Sequence, residues 1–454
     1  MCSNVRRLIS GSARRLATAA VSIALLACSG GGGGTAENSA VTLGSSSAQQ
    51  LEVPDALAAQ APSGKVLTVP AGFGIRVWAV VNKARFMALA PNGDVLVSVP
   101  EEGRIVLLRP RVNDIPQQFE LAAGLRRPHD MVFRTIAGVT WLYVAESNRI
   151  FRTAWQTGQT SIGAREVVVD NLPDSFTAGL FGNYGHELKN IAIGPDDKLY
   201  VSIASSCNAC AEDVYADPVR GAIYQYDANG ANGRLFARGL RNAEGLDFLP
   251  GTNTLWVAVN NRDEVRVPFD RDVDGDGRSD LGQIVERYVD ANPPDPFTSV
   301  RDGANHGWPF CNGVPNDSMS NLALIPDYEL NRDNAVFDCN TATRAEKAFA
   351  AHSAPLGFSF LQSSAVPAAI RNGAAIALHG CWNCSALRAG YKVVFVPFDA
   401  TGAPGMETDL VSGFVANPQT REVWGRPVDV IADGRGNLLI SDDFAGVIYQ
   451  LFQR

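Results

Sequence analysis

The sequence predicts an all-β protein built as a six-bladed β-propeller. One pattern recurs six times: an apolar run, a turn rich in Pro, Gly, Asn and Asp, and a strand ending in a small or polar residue. No sustained apolar period of about 3.6 residues competes with it. A hairpin of this kind cannot bury both faces alone, so six of them are expected to stack radially around an axis.

The six copies differ in spacing, and the spacing locates an insertion. They begin at Met87, Met131, Ile191, Leu246, Leu356 and Val428. The longest interval, 110 residues, separates the fourth copy from the fifth, and we place an inserted segment there at roughly residues 266–292. The propeller itself is predicted to extend over residues 66–454.

Residues 1–27 are predicted to be a lipoprotein-type signal peptide. A positive segment precedes an apolar stretch that is too short to span a bilayer, and its arginines are Arg6, Arg7, Arg14 and Arg15. Cys28 would then carry the lipid; the alternative is an ordinary signal peptide that leaves Cys28 free. Residues 28–65 are rich in Gly, Ser and Ala and are predicted to be a flexible linker. We expect a periplasmic protein held to the membrane only by its N-terminal lipid.

The charge balance excludes one class of partner. The chain has 39 basic and 47 acidic residues, a net charge of −8, and no basic stripe. Binding of nucleic acid needs clustered Lys and Arg to neutralise phosphates, so that function is set aside.

Six cysteines are expected in the exported domain, and in an oxidising compartment they favour three disulfides. We predict the pairs Cys207–Cys210, Cys311–Cys339 and Cys381–Cys384. A zinc site built from the two Cys-x-x-Cys pairs is the alternative. Neither pair is followed by His, so covalent attachment of haem is not supported.

Histidines mark the predicted mouth of the propeller. Four of the five stand just before a blade strand or at its end, and they are His129, His186, His352 and His379. Because the entry loops of a propeller converge on its axis, these side chains are expected to meet in one site. The alternative is that each is a half-buried structural histidine bonded to a backbone carbonyl.

Several strings resemble one known family. They include "GHELKNIAIGPDDKLYVSIASSCNAC", "GLRNAEGLDF", "GANHGWPFCNG", "AHSAPLGFSF", "ALHGCWN" and "GRPVDVIADGRGNLLISDDFAGVIYQL". In this order they resemble the pyrroloquinoline-quinone (PQQ)-dependent glucose/sorbosone dehydrogenases, and most closely the sorbosone-type bacterial branch. The resemblance covers about residues 66–454.

The resemblance implies roles for individual residues. His186 would be the base that takes a hydroxyl proton, and Arg241 would stabilise charge on the quinone oxygen, with Asn242 beside it. The implied PQQ-binding residues are Arg426, His352, His129, Trp382 and Asn383. A calcium ion beside the quinone would be held by backbone carbonyls near Asn261 and Arg262. Structural roles remain as alternatives: Arg241 could form an ion pair with Glu244, and Trp382 and Asn383 could only pack within their loop.

Two departures from the family pattern concern cations. The family usually has "HGSWNR", whereas this chain has Cys381 and Cys384 in place of the Ser and the Arg. Lys189 also replaces an arginine common in the sorbosone branch. One lost cation removes about 1.5–3 kcal/mol of charge-assisted hydrogen bonding, which weakens binding of the cofactor without abolishing it.

The inserted segment carries a separate metal signal. Its string "DRDVDGDGRSDLGQ" places Asp272, Asp274, Asp276 and Asp280 at alternating positions around a Gly turn. Hard carboxylate oxygens in this arrangement suit a structural calcium ion. Gln283 replaces the bidentate Glu of a strict EF-hand. A solvated acidic loop without metal is the alternative.

The sequence therefore predicts an exported quinoprotein with PQQ and calcium as cofactors. It would oxidise a sugar, an aldose or a sugar alcohol and pass electrons to a separate acceptor, a quinone or a cytochrome. The alternative is a propeller without cofactor that serves as a carbohydrate-binding or interaction module. A calcium-dependent lactone hydrolase ranks last, because the entry loops offer His and Arg rather than clustered carboxylates.

Overall fold

The computed structural model describes residues 43–454 apart from residues 113, 181, 364, 382 and 383. It confirms the all-β prediction, because six four-stranded antiparallel sheets form the six blades of a propeller. The predicted signal peptide, Cys28, Trp382 and Asn383 lie outside the described residues. No helix in the described part of the chain is long and apolar enough to cross a membrane.

The chain enters through a short hairpin and then one strand of the last blade. These strands are β1 (Ser46–Gln50), β2 (Val66–Pro70) and β3 (Phe73–Val80). The first blade contains β4 (Met87–Leu89), β5 (Val95–Val99), β6 (Arg104–Arg111) and β7 (Asp114–Ala122). The second contains β8 (Met131–Ile136), β9 (Val139–Ala145), β10 (Ile150–Ala154) and β11 (Glu166–Val169). The third contains β12 (Ile191–Ile193), β13 (Lys198–Ile203), β14 (Ala222–Asp227) and β15 (Arg234–Arg238).

The fourth blade is interrupted twice by long connections. Its strands β16 (Asn242–Phe248), β17 (Leu255–Asn260) and β18 (Asp295–Val300) are followed by a separate hairpin, β19 (Cys311–Gly313) and β20 (Leu324–Pro326), before β21 (Lys347–Phe349) completes the sheet. The only α-helix of the described residues is α1 (Glu286–Val289), in the first connection. The insertion predicted at roughly 266–292 is therefore present. A second insertion, at residues 301–346, was not predicted from the sequence.

The fifth and sixth blades follow without long interruption. The fifth contains β22 (Pro355–Leu361), β23 (Gly373–Leu378), β24 (Lys392–Pro397) and β25 (Thr408–Val411). A small hairpin, β26 (Val415–Asn417) and β27 (Glu422–Val423), leads to β28 (Pro427–Ala432), β29 (Leu438–Asp442) and β30 (Val447–Gln453) of the sixth. Short 3-10 turns occur at Asp55–Leu57, Pro100–Glu102, Ala211–Tyr215, Arg332–Asn334, Cys339–Thr341 and Ala368–Ile370.

The ring is closed by strands from opposite ends of the domain. β3 pairs antiparallel with β30, from Phe73 opposite Gln453 to Val80 opposite Val447. The sixth blade therefore consists of three C-terminal strands and one N-terminal strand. Hydrogen bonds between β3 and β30 thus hold the two ends of the domain together and close the ring.

The flexible linker ends earlier than predicted. β1 pairs with β2 along its whole length, and the backbone N–H of Leu51 donates to the carbonyl of Lys65 at 2.9 Å. The side chains of Leu51 and Leu57 are buried in the apolar core that surrounds the sixth blade. Burial of these two leucines anchors the segment that contains them against the propeller, because each removes a large apolar surface from water. The linker prediction is wrong from residue 46 onward.

Adjacent blades are joined at the axis by aspartates on every second blade. Asp130 of the second blade accepts the N–H of Ile191 of the third at 2.9 Å, and Asp429 of the sixth accepts the N–H of Met87 of the first at 2.8 Å. Asp247 makes the equivalent bond to Phe360, at 3.4 Å. Burial raises the pKa of Asp429 to about 7. These bonds fix the inner strands whose entry loops carry the site.

Replacing Gly230 with Ala should lower the free energy of unfolding by about 3 kcal/mol or more. Gly230 has φ +84° and packs against the second blade, where an added Cβ would lie 1.6 Å from the carbonyl oxygen of Val168. Gly251→Ala is the matched control, because Gly251 has φ +77° and open space around it, so only about 1–2 kcal/mol of left-handed strain is expected. Urea unfolding measures both; equal losses would contradict the steric argument.

Candidate active site

A polar cavity of about 910 Å³ opens at the axis where the inner strands begin. Residues predicted from the sequence line it from several entry loops, and they include His186, Arg241, Asn242, His352, His379 and Arg426. His186 precedes β12, Arg241 precedes β16 and Arg426 precedes β28. Residues far apart in sequence meet here because the blades are arranged around one axis.

His186 has a fixed tautomer. Its Nδ1 lies 3.0 Å from both the carbonyl oxygen and the hydroxyl oxygen of Ser205; because the carbonyl can only accept, the hydrogen is assigned to Nδ1. Nε2 is then the unprotonated nitrogen, and no hydrogen bond from the described residues occupies it. Desolvation, with a contribution from the charge of Arg241, lowers the pKa of His186 to about 4. The imidazole is therefore neutral at pH 7 with a lone pair available.

Asp263 contacts two basic side chains that also line the cavity. It lies 3.3 Å from Nη2 of Arg241 and 3.3 Å from Nδ1 of His352. The other ring nitrogen of His352 is 2.7 Å from the carbonyl of Val289. Burial works against the charge of His352, but its hydrogen bonds to Asp263 and Val289 raise its pKa above the ordinary value. An acceptor at each ring nitrogen favours the protonated form of His352.

The Arg241–Glu244 ion pair considered from the sequence is not formed. Arg241 donates instead to the backbone and side-chain oxygens of Asn208, at 3.0 and 3.1 Å, and faces Asp263. Glu244 accepts from Nδ2 of Asn242 at 3.0 Å and so orients that amide at the cavity wall.

Arg426 is the cavity arginine whose charge is least neutralised. Its guanidinium donates to the carbonyls of His379 and Gly380, at 3.1 and 2.7 Å, and no ion pair involves it within the described ranges. Arg85, by contrast, is paired with Asp443 at 3.0 Å. An unneutralised guanidinium at the wall of a cavity favours an anionic ligand.

A network in the wall of the cavity was not predicted from the sequence, although one of its members, His379, lines the cavity as expected. Asp443 accepts from Arg85 and lies 2.9 Å from Nε2 of His379, so it links the first, fifth and sixth blades. Burial raises the pKa of Asp443, but the partners His379 and Arg85 outweigh burial and hold it well below its ordinary value. His379 was recognised only as one histidine of the set. Arg85, Asp443, Asp263 and Asn208 belong to no motif with a recognisable spacing.

His129 does not line the cavity, so this part of the prediction is wrong. The side chain is fully buried, and its ring lies 4.3 Å from that of Phe86. Its backbone N–H donates to the carbonyl of Ala145 and thereby continues the second blade inward. Burial lowers the pKa of His129 well below its usual value. Lys189, which stands in place of an arginine, is also fully buried; burial lowers its pKa to about 7.

The wall proposed for the cofactor calcium is only partly as expected. Asn261 lines the cavity and its N–H donates to Asp295 at 2.7 Å. The side chain of Arg262 turns away into the protein, where it pairs with Asp327 and Glu329. Oδ1 of Asn260 is buried and has no partner among the described residues. Oxygen donors are thus available here, and the carbonyl role of Asn261 and Arg262 stays a prediction.

All three predicted disulfides are present, namely Cys207–Cys210, Cys311–Cys339 and Cys381–Cys384. The zinc alternative is thereby excluded for these pairs, because each sulfur is bonded to another. Cys207 and Cys381 both line the axial cavity. Cys311–Cys339 instead closes the second insertion of the fourth blade.

The acidic loop brings together three of its four predicted ligands. The carboxylate oxygens of Asp272, Asp274 and Asp276 lie within 4.8 Å of one another. Asp280 is not part of this group: its carboxylate is buried and accepts the N–H groups of Val273 and Asp274 at 2.7 and 3.2 Å. Its inclusion in the ligand set is wrong, and calcium binding by the other three stays a prediction.

The fold and the site define a class: a six-bladed propeller whose axial cavity carries both arginines and carboxylates, with a neutral histidine in its wall. The chain belongs to the TrAA12-like family, whose family model matches residues 67–454. A curated relative, an uncharacterized protein of Borreliella burgdorferi, is 28% identical over 268 residues, or 57% of this chain. The match spans only 58% of that relative's length.

Solved structures with the same fold include sugar-oxidising enzymes. The family AA12 protein of Trichoderma reesei is 19% identical with a TM-score of 0.70, over 87% of this chain and 98% of that one. The holo form of the pyranose dehydrogenase PQQ domain from Coprinopsis cinerea is 18% identical with a TM-score of 0.70, over 89% and 100%. The PQQ-bound aldose sugar dehydrogenase of Streptomyces coelicolor is 16% identical with a TM-score of 0.52, over 85% and 99%. At these identities the likeness shows the fold, and the sorbosone-type branch stays a prediction.

Proposed function

We propose that this protein is a PQQ-dependent oxidoreductase that oxidises a sugar, an aldose or a sugar alcohol in the axial cavity. The observation that carries the proposal is His186, whose neutral imidazole presents an unoccupied Nε2 beside Arg241 in a cavity with an unneutralised Arg426. Membership of the TrAA12-like family supports it, as does the likeness in fold to two proteins solved with PQQ.

The residues present fit a quinone with three carboxylates. Such a group needs fixed cations that are not already neutralised, and Arg426 has only backbone carbonyl partners among the described residues. Elsewhere in the lining, the carboxylate of Asp263 lies 3.3 Å from both Arg241 and His352. Arg426 would therefore hold a carboxylate, whereas both ring nitrogens of His352 are already engaged, by Asp263 and by the carbonyl of Val289, so a direct contact from His352 is not expected. Oδ1 of Asn260, with carbonyls of Asn261 and Arg262, offers the hard oxygens that calcium prefers.

The chemistry of the chain's own residues follows from this arrangement. When bound, the quinone supplies the acceptor for the hydride that leaves the sugar. His186 accepts the hydroxyl proton at Nε2, because Nδ1 is held by Ser205. Arg241, fixed by Asn208 and Asp263, supplies donors where negative charge grows. Asn242 is oriented beside it by Glu244.

One observation favours a second candidate function. The Cys381–Cys384 disulfide occupies the place where the resembling family has a serine and an arginine, so one cation is absent from the cavity wall. A propeller with too little positive charge for PQQ would act as a carbohydrate-binding or interaction module instead. Binding of the cofactor distinguishes the two.

Titration of calcium-loaded protein with PQQ tests the proposal. We expect quenching of protein fluorescence at micromolar or lower PQQ, and reduction of a redox dye when aldoses or polyols are added. Arg426→Ala should weaken binding of PQQ about 10- to 150-fold, since one charge-assisted contact is removed. Absence of binding at every calcium concentration would contradict the PQQ proposal and leave the second candidate.

The rate of sugar oxidation should fall on the acid side around pH 4. His186 can take a proton only when neutral, and desolvation with the charge of Arg241 places its pKa at about 4. The rate therefore rises with pH through this value and is not limited by His186 above it. Arg241→Gln removes a charge that lowers this pKa, so its acid limb should move to higher pH. A wild-type limb near 6.5, the ordinary histidine value, would argue against His186 as the base.

The cellular setting belongs to the same proposal. We infer export to the periplasm, a lipid on Cys28, and transfer of electrons to a separate quinone or cytochrome. Metabolic labelling with a fatty acid, compared between the natural chain and Cys28→Ala, tests the anchor. Equal labelling of the two would contradict it.

A further inference from the structure

A second, smaller cavity adjoins the axial one and shares His186 with it. Its volume is about 180 Å³, and we call it the side chamber. Its walls come mainly from the entry loops of the first three blades. Arg85, His186 and Glu244 stand in the walls of both cavities. A group in the side chamber is therefore adjacent to the proton-accepting residue and to the axial cavity at once.

The charges of the side chamber balance. It is lined by three cationic and three anionic side chains, namely Lys83, Arg85, Arg127, Glu101, Glu244 and Asp443. Lys83 and Glu101 lie 3.8 Å apart, and Arg85 lies 3.0 Å from Asp443. A charged ligand gains no net field in such a lining. A neutral ligand with many hydroxyls does gain, because each hydroxyl can donate to a carboxylate and accept from a cation.

Two of these residues have a left-handed backbone conformation that residues other than glycine rarely adopt. Lys83 has φ 59° and Arg127 has φ 49°. Arg127 is fixed further by an ion pair with Glu187 at 3.0 Å. Conformations of this kind persist where the surroundings determine them, and they concentrate at ligand sites. The backbone that carries Lys83 and Arg127 is thus determined by its surroundings, whereas their half-exposed side chains can adjust to a ligand.

From this geometry we propose that the side chamber is the sugar subsite. It takes one neutral sugar ring, with the hydroxyl to be oxidised facing His186 and the remaining hydroxyls facing Glu101, Lys83 and Arg85. This inference rests on the proposed function and adds specificity-determining residues to it. The size of the chamber, equivalent to about six water molecules, favours a monosaccharide or the terminal residue of a longer sugar.

The test uses Glu101→Ala and Lys83→Ala, whose side chains are more than half exposed, so folding should survive. With PQQ and calcium bound, KM for D-glucose, D-galactose or sorbitol, whichever is turned over, should rise about 10-fold or more, while kcat and the Kd for PQQ stay unchanged. Glu102→Ala is the matched control, since Glu102 is the next residue, pairs with Arg104 and does not line the chamber.

A second readout separates this inference from the proposed function. Ligand-observed NMR on cofactor-free protein measures binding of the same three sugars directly. Binding that is weakened by Glu101→Ala but not by Glu102→Ala supports the side chamber even if PQQ does not bind. Turnover with an unchanged KM in both chamber variants would overturn the sugar-subsite inference but would leave the proposed oxidoreductase function supported. Absence of any sugar binding together with absence of turnover overturns both.

Discussion

Replacement of His186 by Ala should lower the rate of sugar oxidation about 100- to 10,000-fold while binding of PQQ is retained. The imidazole is the group with an unoccupied Nε2 in the walls of both the axial cavity and the side chamber. Its removal takes away the proton acceptor but not Arg426, the cation assigned to a carboxylate. The rate of dye reduction and the quenching of fluorescence by PQQ measure the two effects separately.

A conservative variant distinguishes proton transfer from positioning. His186→Gln keeps a hydrogen-bonding side chain that can donate to the Ser205 carbonyl, but it cannot accept a proton. It should be as slow as His186→Ala and should lose the acid limb near pH 4. A glutamine variant with substantial activity and an unchanged pH profile would assign the base to another residue.

Replacement of Arg262 by Ala should lower the free energy of unfolding by about 3–5 kcal/mol. Arg262 is buried and pairs with two carboxylates of the second insertion, Asp327 and Glu329. The side chain of Asp327 is only 2% exposed, so the loss of its cation leaves a charge that water cannot solvate. Urea unfolding at neutral pH measures the change.

Arg266 provides the matched control. It pairs with the same Glu329 at 2.7 Å, but both side chains are 35% exposed. Arg266→Ala should therefore cost no more than about 1 kcal/mol. Arg262 also stands between the cavity residues Asn261 and Asp263, so we expect its loss to weaken binding of PQQ as well. Similar losses of unfolding free energy in the two variants would show that the buried ion pairs of Arg262 stabilise the protein no more than the exposed pair of Arg266.

The blades were predictable because their signals are local. The strand that opens the first blade begins at Met87, the second at Met131 and the third at Ile191, as the alternation and the turn residues indicate. β3 gives no comparable signal, since its partner lies at the other end of the chain; Arg76 hydrogen-bonds Gln450 across 374 residues. The early end of the linker was missed because Leu51 and Leu57 do not change the average composition.

The same distinction between local and long-range signals explains which site residues could be predicted. His186, Arg241 and Arg426 stand in entry loops within recognisable strings, so their convergence could be expected from the repeat. Asp263 and Asp443 matter only through partners in other loops, and no spacing reveals such pairs. His129 has the expected position in its loop, yet its backbone continues the strand pairing, and its fully buried ring packs against Phe86 beneath the cavity residues Arg85 and Glu244.

The closure of the sixth blade has a consequence for the order of folding. β3 is synthesised before the first blade, but the strand with which it pairs, β30, is synthesised only after the other five blades. Five blades can form as the chain emerges, whereas the ring has to wait for the final strand. A fragment that stops before Val447 would keep every residue of the axial cavity and yet expose the open edges of β3 and β29. Premature termination should therefore yield an aggregating protein rather than one with a weakened site.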